Sequence, residues 1–329
     1  MQLFVPLLAL SAAAFSSFVC AQNSSTSSGQ AFPSRPIRII VAFPAGGGTD
    51  IVARMIAPKL GEALGTQVVI ENRAGAQGVI GTDLAAKAPA DGHTMFMGTL
   101  GNLAVNTVLY GNKLPFNIER DFAPITHVVD VWFVQMIHPS LPAKNPRELI
   151  ALAKSKPGEL NYYSSGAGGA PHLAAEMFNA LAGIRTTHVP YKGSAPGQTD
   201  LMAGQVQIGY DSIVQSLPFI RAGKLRALAV LGAKRTPLLP DTPSMSDYVP
   251  GFALTNWFAL VIPAATPADI RNRLHAEVVK ILRAPEIKER LLSMGAEPVG
   301  NTQEQFGAFI KSETAKWGKV IRDANIKAE

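Results

Sequence analysis

Cysteine is almost missing from this chain: Cys20 is the one thiol in 329 residues. An intrachain disulfide is therefore excluded, and a metal site built from several thiolates with it. Charge is also sparse. Charged residues make up 16%, no Lys/Arg run exceeds two, and 30 basic against 24 acidic residues leave a net charge of +6. That mild excess helps gather anions, but it lacks the clustered basic stripe of a nucleic-acid binder, so no nucleic-acid partner is expected. Beyond residue 21 no stretch approaches 18 uninterrupted apolar residues, which leaves nothing there able to span a bilayer as a helix. Gly (29) and Pro (24) stay far below the level of a fibre, while 47% apolar residues can bury a core, which excludes disorder.

The N-terminus is the exception to the polar character. Residues 3–19 form an Ala/Leu/Phe/Ser run, followed by Val19-Cys20-Ala21 and the polar stretch from Asn23 to Gly29. Small residues at Val19 and Ala21 fit the cleavage rule of a secretory signal peptide, with the cut after Ala21. Met1 and Gln2 carry no basic residue, which fits a misplaced start; the alternative is a membrane anchor, for which the run is short and lacks a basic flank. Cleavage would leave no cysteine, removing thiol catalysis together with disulfides. The expected layout is a signal peptide over 1–21 and a polar linker over 22–34.

The body alternates β and α. Apolar strands are expected at residues 37–43, 68–70, 94–97, 160–164, 187–189, 206–209 and 225–230, separated by helix-length segments, which argues for parallel sheets. Helix starts are marked by Asn145-Pro146-Arg147-Glu148, Thr266-Pro267-Ala268-Asp269 and Thr302-Gln303-Glu304-Gln305. A final helix should dock through Phe309, Ile310, Trp317, Val320 and Ile321. Extended, β-rich stretches at 122–138 and 225–262 suggest a chain crossing twice between two lobes. The expected division is residues 35–125 and 226–329 in one lobe and 126–225 in the other.

Three loops between a strand and a helix carry the candidate chemistry. In Phe43-Pro44-Ala45-Gly46-Gly47-Gly48-Thr49-Asp50 a glycine-rich turn can aim main-chain N–H groups at an anion on the helix N-terminus; the bland alternative is a tight turn with Thr49 or Asp50 as a cap. Neither G-x-G-x-x-G nor a P-loop is completed. The second loop, residues 164–171, offers Ser164, Ser165 and Gly166 and lacks the G-x-S-x-G of a nucleophile elbow. His172 and Glu176 lie one helical turn apart without a third ligand, so no metal is expected. The third loop holds Tyr191, Lys192, Gly193 and Ser194; Tyr191 could wall a pocket and Lys192 pair with a carboxylate, or Lys192 could simply be solvated. Asp211 and Ser212, and likewise Thr99 and Asn102, follow strands in the same relative position. Small polar residues thus gather at carboxyl ends of strands, where open α/β sheets bind ligands. No paired carboxylates or Ser/His/Asp set accompanies them, which favours binding over catalysis.

These motifs resemble a known family. Residues 36–50, Val69-Ile70-Glu71-Asn72-Arg73-Ala74-Gly75-Ala76, Ala90-Asp91-Gly92-His93-Thr94, His172-Leu173-Ala174, His188-Val189-Pro190-Tyr191-Lys192-Gly193, residues 221–230 and Trp257 look like the Bug-type substrate-binding receptors of tripartite tricarboxylate transporters. The resemblance runs in order from residue 35 to about 325. It implies a two-lobed periplasmic binding protein fold, each lobe a mostly parallel sheet flanked by helices and joined by a double hinge crossing. It also implies a monomeric, cofactor-free, non-enzymatic receptor for a small carboxylate, working with membrane subunits of such a transporter. In such receptors main-chain amides and waters of two opposed loops hold the carboxylate, here residues 43–50 and 191–194. The chain departs from the pattern at Gly209-Tyr210-Asp211-Ser212-Ile213, where a Phe-Asp-Asn type is commoner, and at Pro243-Ser244-Met245-Ser246-Asp247. The alternative class is an α/β enzyme, a hydrolase or nucleotide-dependent enzyme, using the turn at 44–50.

Overall fold

Strand β1 (Ile37–Val41) shows how the layers arise. Ile39 and Ile40 are both fully shielded although successive side chains point to opposite faces of a strand. Ile37, Ile39 and Val41 pack with Val52, Ile56 and Leu60 of helix α1 (Gly48–Leu64), which recur every four residues on one helix face. Ile40 faces the other way, into a cluster with Phe96 and Leu103. A strand covered on both faces reads as an uninterrupted apolar run, which is why residues 37–43 stand out in the sequence.

The computed structural model describes residues 32–232, 234–323 and 326. The expected signal peptide, its cleavage after Ala21 and the linker up to residue 31 lie outside the described residues. After α1 the chain forms β2 (Val68–Asn72), α2 (Val79–Ala86), β3 (Thr94–Thr99), the short α3 (Asn106–Tyr110) and α4 (Ile118–Asp121), and β4 (Phe122–Val131). It then builds β5 (Phe133–Ile137), α5 (Pro146–Ser155), β6 (Asn161–Ser164), α6 (Ala170–Ala182), β7 (Thr187–Pro190), α7 (Ser194–Met202), β8 (Ile208–Ser212), α8 (Ile213–Arg221) and β9 (Arg226–Val230). It returns through β10 (Asn256–Pro263), α9 (Ala268–Arg283), α10 (Pro285–Ser293), β11 (Ala296–Pro298) and α11 (Gln303–Asp323). One sheet has the order β11-β4-β10-β3-β1-β2 and the other β7-β6-β8-β5-β9, so each lobe is a helix-flanked sheet.

Both sheets are mixed rather than mostly parallel. β1 pairs in parallel with β2 and β3, as β6 does with β7 and β8. The pairs β10/β3, β10/β4, β11/β4, β5/β8 and β5/β9 are antiparallel. A parallel neighbour needs a crossover of a dozen or more residues, usually a helix. β4 runs almost directly into β5, and β10 arrives from the other lobe, so neither meets its partners through such a crossover.

The sheet changes fall at Trp132 and after Val230, a few residues beyond the expected lobe boundaries at 125/126 and 225/226. Trp132 is tied to both sides. Its N–H donates to Gly295 O at 3.1 Å, its carbonyl accepts from Ile213 N at 2.8 Å, and its indole N–H donates to Glu297 Oε1 at 3.1 Å.

Local signals are met where the caps have no competing use. Asn145 Oδ1 accepts from Glu148 N at 3.0 Å, and Thr302 and Gln305 cap each other reciprocally at 3.2 and 3.1 Å. Thr266 departs from expectation. Its hydroxyl donates to Pro263 O at 2.7 Å to close the turn after β10, and α9 starts at Ala268 without a side-chain cap. Phe306, Ile310, Trp317 and Ile321 bury the face of α11.

Candidate ligand-binding site

Four helices begin at one cavity between the lobes. Gly48 and Thr49 of α1, Ala170 and Pro171 of α6, Ser194 of α7, and Ser212 and Gln215 at the start of α8 all line it. The first turn of a helix leaves its N–H groups without intrahelical acceptors and carries about half a positive charge. Gly47, Gly169 and Gly193, the residues before α1, α6 and α7, supply no side-chain cap. Glycine in these places leaves the amide ends without a cap from the preceding residue, and at α1 one of them, Gly48 N, is taken by Gln215 of the opposing lobe. Phe43, Phe133 and Phe258 add apolar wall.

The lobes meet across this cavity. Gln215 Oε1, from the second lobe, accepts from Gly48 N of the first at 2.9 Å. Tyr110 donates its hydroxyl to Ala167 O at 3.3 Å. Gln77 reaches the opposite way, so close to the second lobe's loop that a Cβ on Gly166 would lie 2.5 Å from its Oε1 and one on Gly169 2.4 Å from its Nε2. Its backbone has φ 50° and ψ 38°, a left-handed conformation uncommon for a residue with a side chain. Asn102 Nδ2 and Asn106 Nδ2 both donate to Gln77 O, at 3.1 and 3.2 Å, and hold it there. In this arrangement the cavity has a volume of about 40 Å³. That is room for a few waters, since one needs about 10–15 Å³ of such space.

The structure brings Phe43, Gly47, Gly48, Thr49, Thr99, Ser165, Ser194 and Asp211 of the expected residues to the cavity wall. It places the others elsewhere. Ala45 and Gly46 are exposed at the outer side of the turn. Asp50 does not cap the helix; it accepts from Gly46 N at 3.0 Å, Arg54 Nε at 2.9 Å and Asn72 Nδ2 at 2.9 Å. Burial pushes its carboxyl up, but these donors hold it below the ordinary carboxylate range. Asn102 is occupied with Gln77 and with Thr99 Oγ1. Tyr191 donates to Asp200 Oδ2 at 2.6 Å, and Lys192 is exposed. Gly193 packs on Pro44, where a Cβ would lie 2.3 Å from the ring.

Ser164 and Gly166 belong to the support of the second loop. Ser164 Oγ lies 2.6 Å from His188 Nε2 and accepts from Gly166 N at 3.0 Å. This Ser–His contact is part-buried and lies off the cavity wall, so it supports the loop and does not line the cavity. His172 stacks on His188 with ring centres 4.3 Å apart, and its Nδ1 accepts from Gly168 N at 3.0 Å. Burial, with the neighbouring His188, lowers its pKa to about 3, which keeps that nitrogen an acceptor. Glu176 takes the Tyr162 hydroxyl at 2.6 Å, so the His172/Glu176 pair serves two different partners.

Comparison with known proteins decides the family. Residues 52–326 match the tripartite tricarboxylate transporter family receptor. The chain belongs to that receptor family. BugT of Bordetella pertussis is 37% identical over 302 residues, covering 91% of this chain and 92% of BugT. A solved R. palustris protein with adipate has TM-score 0.88 and 36% identity, covering 91% of this chain and all of that one (100%). MatC from Rhodopseudomonas palustris with bound malate has TM-score 0.84 and 30% identity, covering 88% of this chain and 100% of MatC. The chain is thus a receptor of the periplasmic solute-binding type, with the two-lobed fold that its motifs suggest.

Sequence reasoning misses Gln77, Phe133, Gln215, Asn256 and Phe258, which also line the cavity. Gln77 carries one local signal, since it stands between Gly75 and Gly78 directly after the motif ending at Ala76. Gln215 carries none, because its partner Gly48 lies 167 residues away.

Proposed function

We propose that this receptor captures a small carboxylate between its two lobes and passes it, chemically unchanged, to the membrane subunits of a tripartite tricarboxylate-type transporter. The convergence of four helix N-termini, three of them preceded by a glycine that offers no side-chain cap, carries this reading. Export through the leader ending at Ala21 puts the mature chain in the periplasm, where it works as a monomer. The adipate- and malate-bound relatives support a carboxylate as the ligand class. A dicarboxylate exceeds the space of about 40 Å³, so uptake begins from a wider separation of the lobes, and closure follows around the ligand. The Ser164–His188 contact lies off the cavity wall, so an enzymatic reading finds no support in that pair.

A thermal-shift screen across mono-, di- and tricarboxylates tests this. A cognate acid at about 100 times its Kd stabilises by roughly 2.7 kcal/mol. Calorimetry of the hits should show one saturable site, and the acid should be recovered unaltered. No stabilisation by any carboxylate, or its conversion to product, would overturn the reading.

A further inference from the structure

Among the described residues that line the cavity, Asp211 alone has a side chain that changes charge near neutral pH, and no Lys, Arg or His lines the wall with it. It is 2% exposed and sits where β8 gives way to α8. Four donors are turned on it: the Tyr163 hydroxyl at 3.0 Å, Ser212 N at 2.7 Å, and the side chains of Ser194 and Gln215. The elements packed around it bring no cation to the wall. β6 contributes Tyr163, behind which Tyr191 bonds to Asp200, and β5 contributes Val134 as the register partner. Across the cavity α1 presents Gly48 and Thr49, while Asp50 and Arg54 pair with each other off the wall. His172 and His188 stack on Tyr162, which points to the other face of β6 from Tyr163.

A resident carboxylate conflicts with an anionic ligand. Two carboxylates that share a site with little water do not both stay ionised, and the pair holds a proton instead. The helix ends do not remove the conflict, because Asp211 already accepts from the N-terminal side of α8 and Gly48 N of α1 is taken by Gln215. We propose that the receptor binds its carboxylate together with a proton drawn from solvent, and that Asp211 holds this proton. This rests on the carboxylate reading above. Burial already raises the acid to about 6 against its four donors, and a second negative charge in the cavity raises it further. The proton also releases donors. A neutral carboxyl accepts more weakly than a carboxylate, so Ser194 and Gln215, both at the wall, can turn to the ligand. The ligand stays ionised and no covalent bond of it changes; one proton moves from solvent to Asp211 and cancels one negative charge in the cavity.

Calorimetric titration tests this with adipate, malate and any stronger hit of the carboxylate screen. The range runs from about pH 6.5 to about pH 8, where these acids stay ionised. Comparing heats in Tris and triethanolamine, two cationic buffers with different ionisation heats, counts the protons taken up. At about pH 7.5 wild type should take up roughly half to one proton per ligand, and its Kd should weaken about three- to tenfold for each unit that the pH rises. Asp211→Asn should take up none, and its Kd should be flat over the same range. Difference infrared spectra of wild type with a probe carrying heavy carbon at its carboxyls locate the proton: a protonated carboxyl band should appear on binding at the unlabelled position. Absent uptake with a flat Kd in wild type, uptake retained by a folded Asp211→Asn, or a protonated band that moves with the label overturns the proposal and leaves carboxylate binding intact. If no carboxylate binds, the carboxylate reading itself falls, and this inference with it.

Discussion

Tyr163 donates its phenol hydrogen to Asp211 Oδ2 at 3.0 Å at the wall of the cavity. The other oxygen, Oδ1, accepts from Ser212 N at 2.7 Å. Burial pushes the Asp211 carboxyl up to about 6, and hydrogen bonds from Ser194, Ser212, Tyr163 and Gln215 pull only partly the other way. The site therefore keeps an acid beside an anion-attracting cavity by making its charge expensive.

The pH dependence follows from that relationship. The folded value of about 6 lies above the ordinary 3.8, so the native state holds this proton more tightly than the unfolded chain does. The contribution to stability is full below about 4, is lost as pH rises through 6, and is flat above that. Over roughly 2 pH units it amounts to about 3 kcal/mol. Asp211→Asn resembles the protonated acid, with its amide nitrogen able to donate to the Tyr163 oxygen. The variant should be more stable than wild type at about pH 7.5, with the difference vanishing near pH 4. Urea unfolding of the ligand-free proteins across that range reads it. A difference independent of pH would mean that Asp211 is not the raised group.

Asp50 behaves in the opposite sense. Its folded value is depressed, so its stabilisation is present above the ordinary 3.8 and disappears as pH falls through the lower value. Asp50→Asn should lower stability at neutral pH by about 1–3 kcal/mol, because Gly46 N and Asn72 lose part of a shared acceptor. The Arg54 pair adds little, since that guanidinium side chain is half exposed. Asp50 lies off the cavity wall, so ligand affinity should stay within about threefold. Unchanged stability with collapsed binding would show that the acid itself meets the ligand.

The strands and the three loops were legible because each is local: an apolar run, then glycines, then a helix start. β4, β5 and β10 were visible as extended chain, but their antiparallel pairing was not, because direction depends on how a strand reaches its sheet. Within the site, main-chain groups at glycine turns could be read and the glutamines could not. Gln77 and Gln215 act on the opposing lobe, and nothing in the residues around Gln215 points to a partner 167 positions away. Asp50 shows the reverse error. An acid at a helix start reads as a cap, whereas here the chain folds Gly46, Asn72 and Arg54 around it.

Neighbouring glycines of the first loop should respond differently to the same change. A Cβ on Gly47 would meet nothing closer than Pro44 O at 3.5 Å and Gln215 Oε1 at 3.6 Å, ordinary contacts. On Gly48 it would lie 2.9 Å from Ser212 Oγ and 3.3 Å from Ser212 Cβ, atoms of the opposing lobe. Gly47→Ala should leave Kd within about threefold. Gly48→Ala should improve α1 as a helix yet obstruct closure; overpacking of about 1–3 kcal/mol corresponds to a roughly 5- to 150-fold weaker Kd. Adding Ser212→Gly removes the obstacle at the cost of a few tenths of a kcal/mol in the α8 cap, where Ser212 Oγ accepts from Val214 N. The double variant should regain most of the affinity. Small-angle scattering with saturating ligand should show a larger radius of gyration for Gly48→Ala than for wild type or the double variant. If Gly48→Ala binds and compacts like wild type, the two lobes do not close onto each other at this contact.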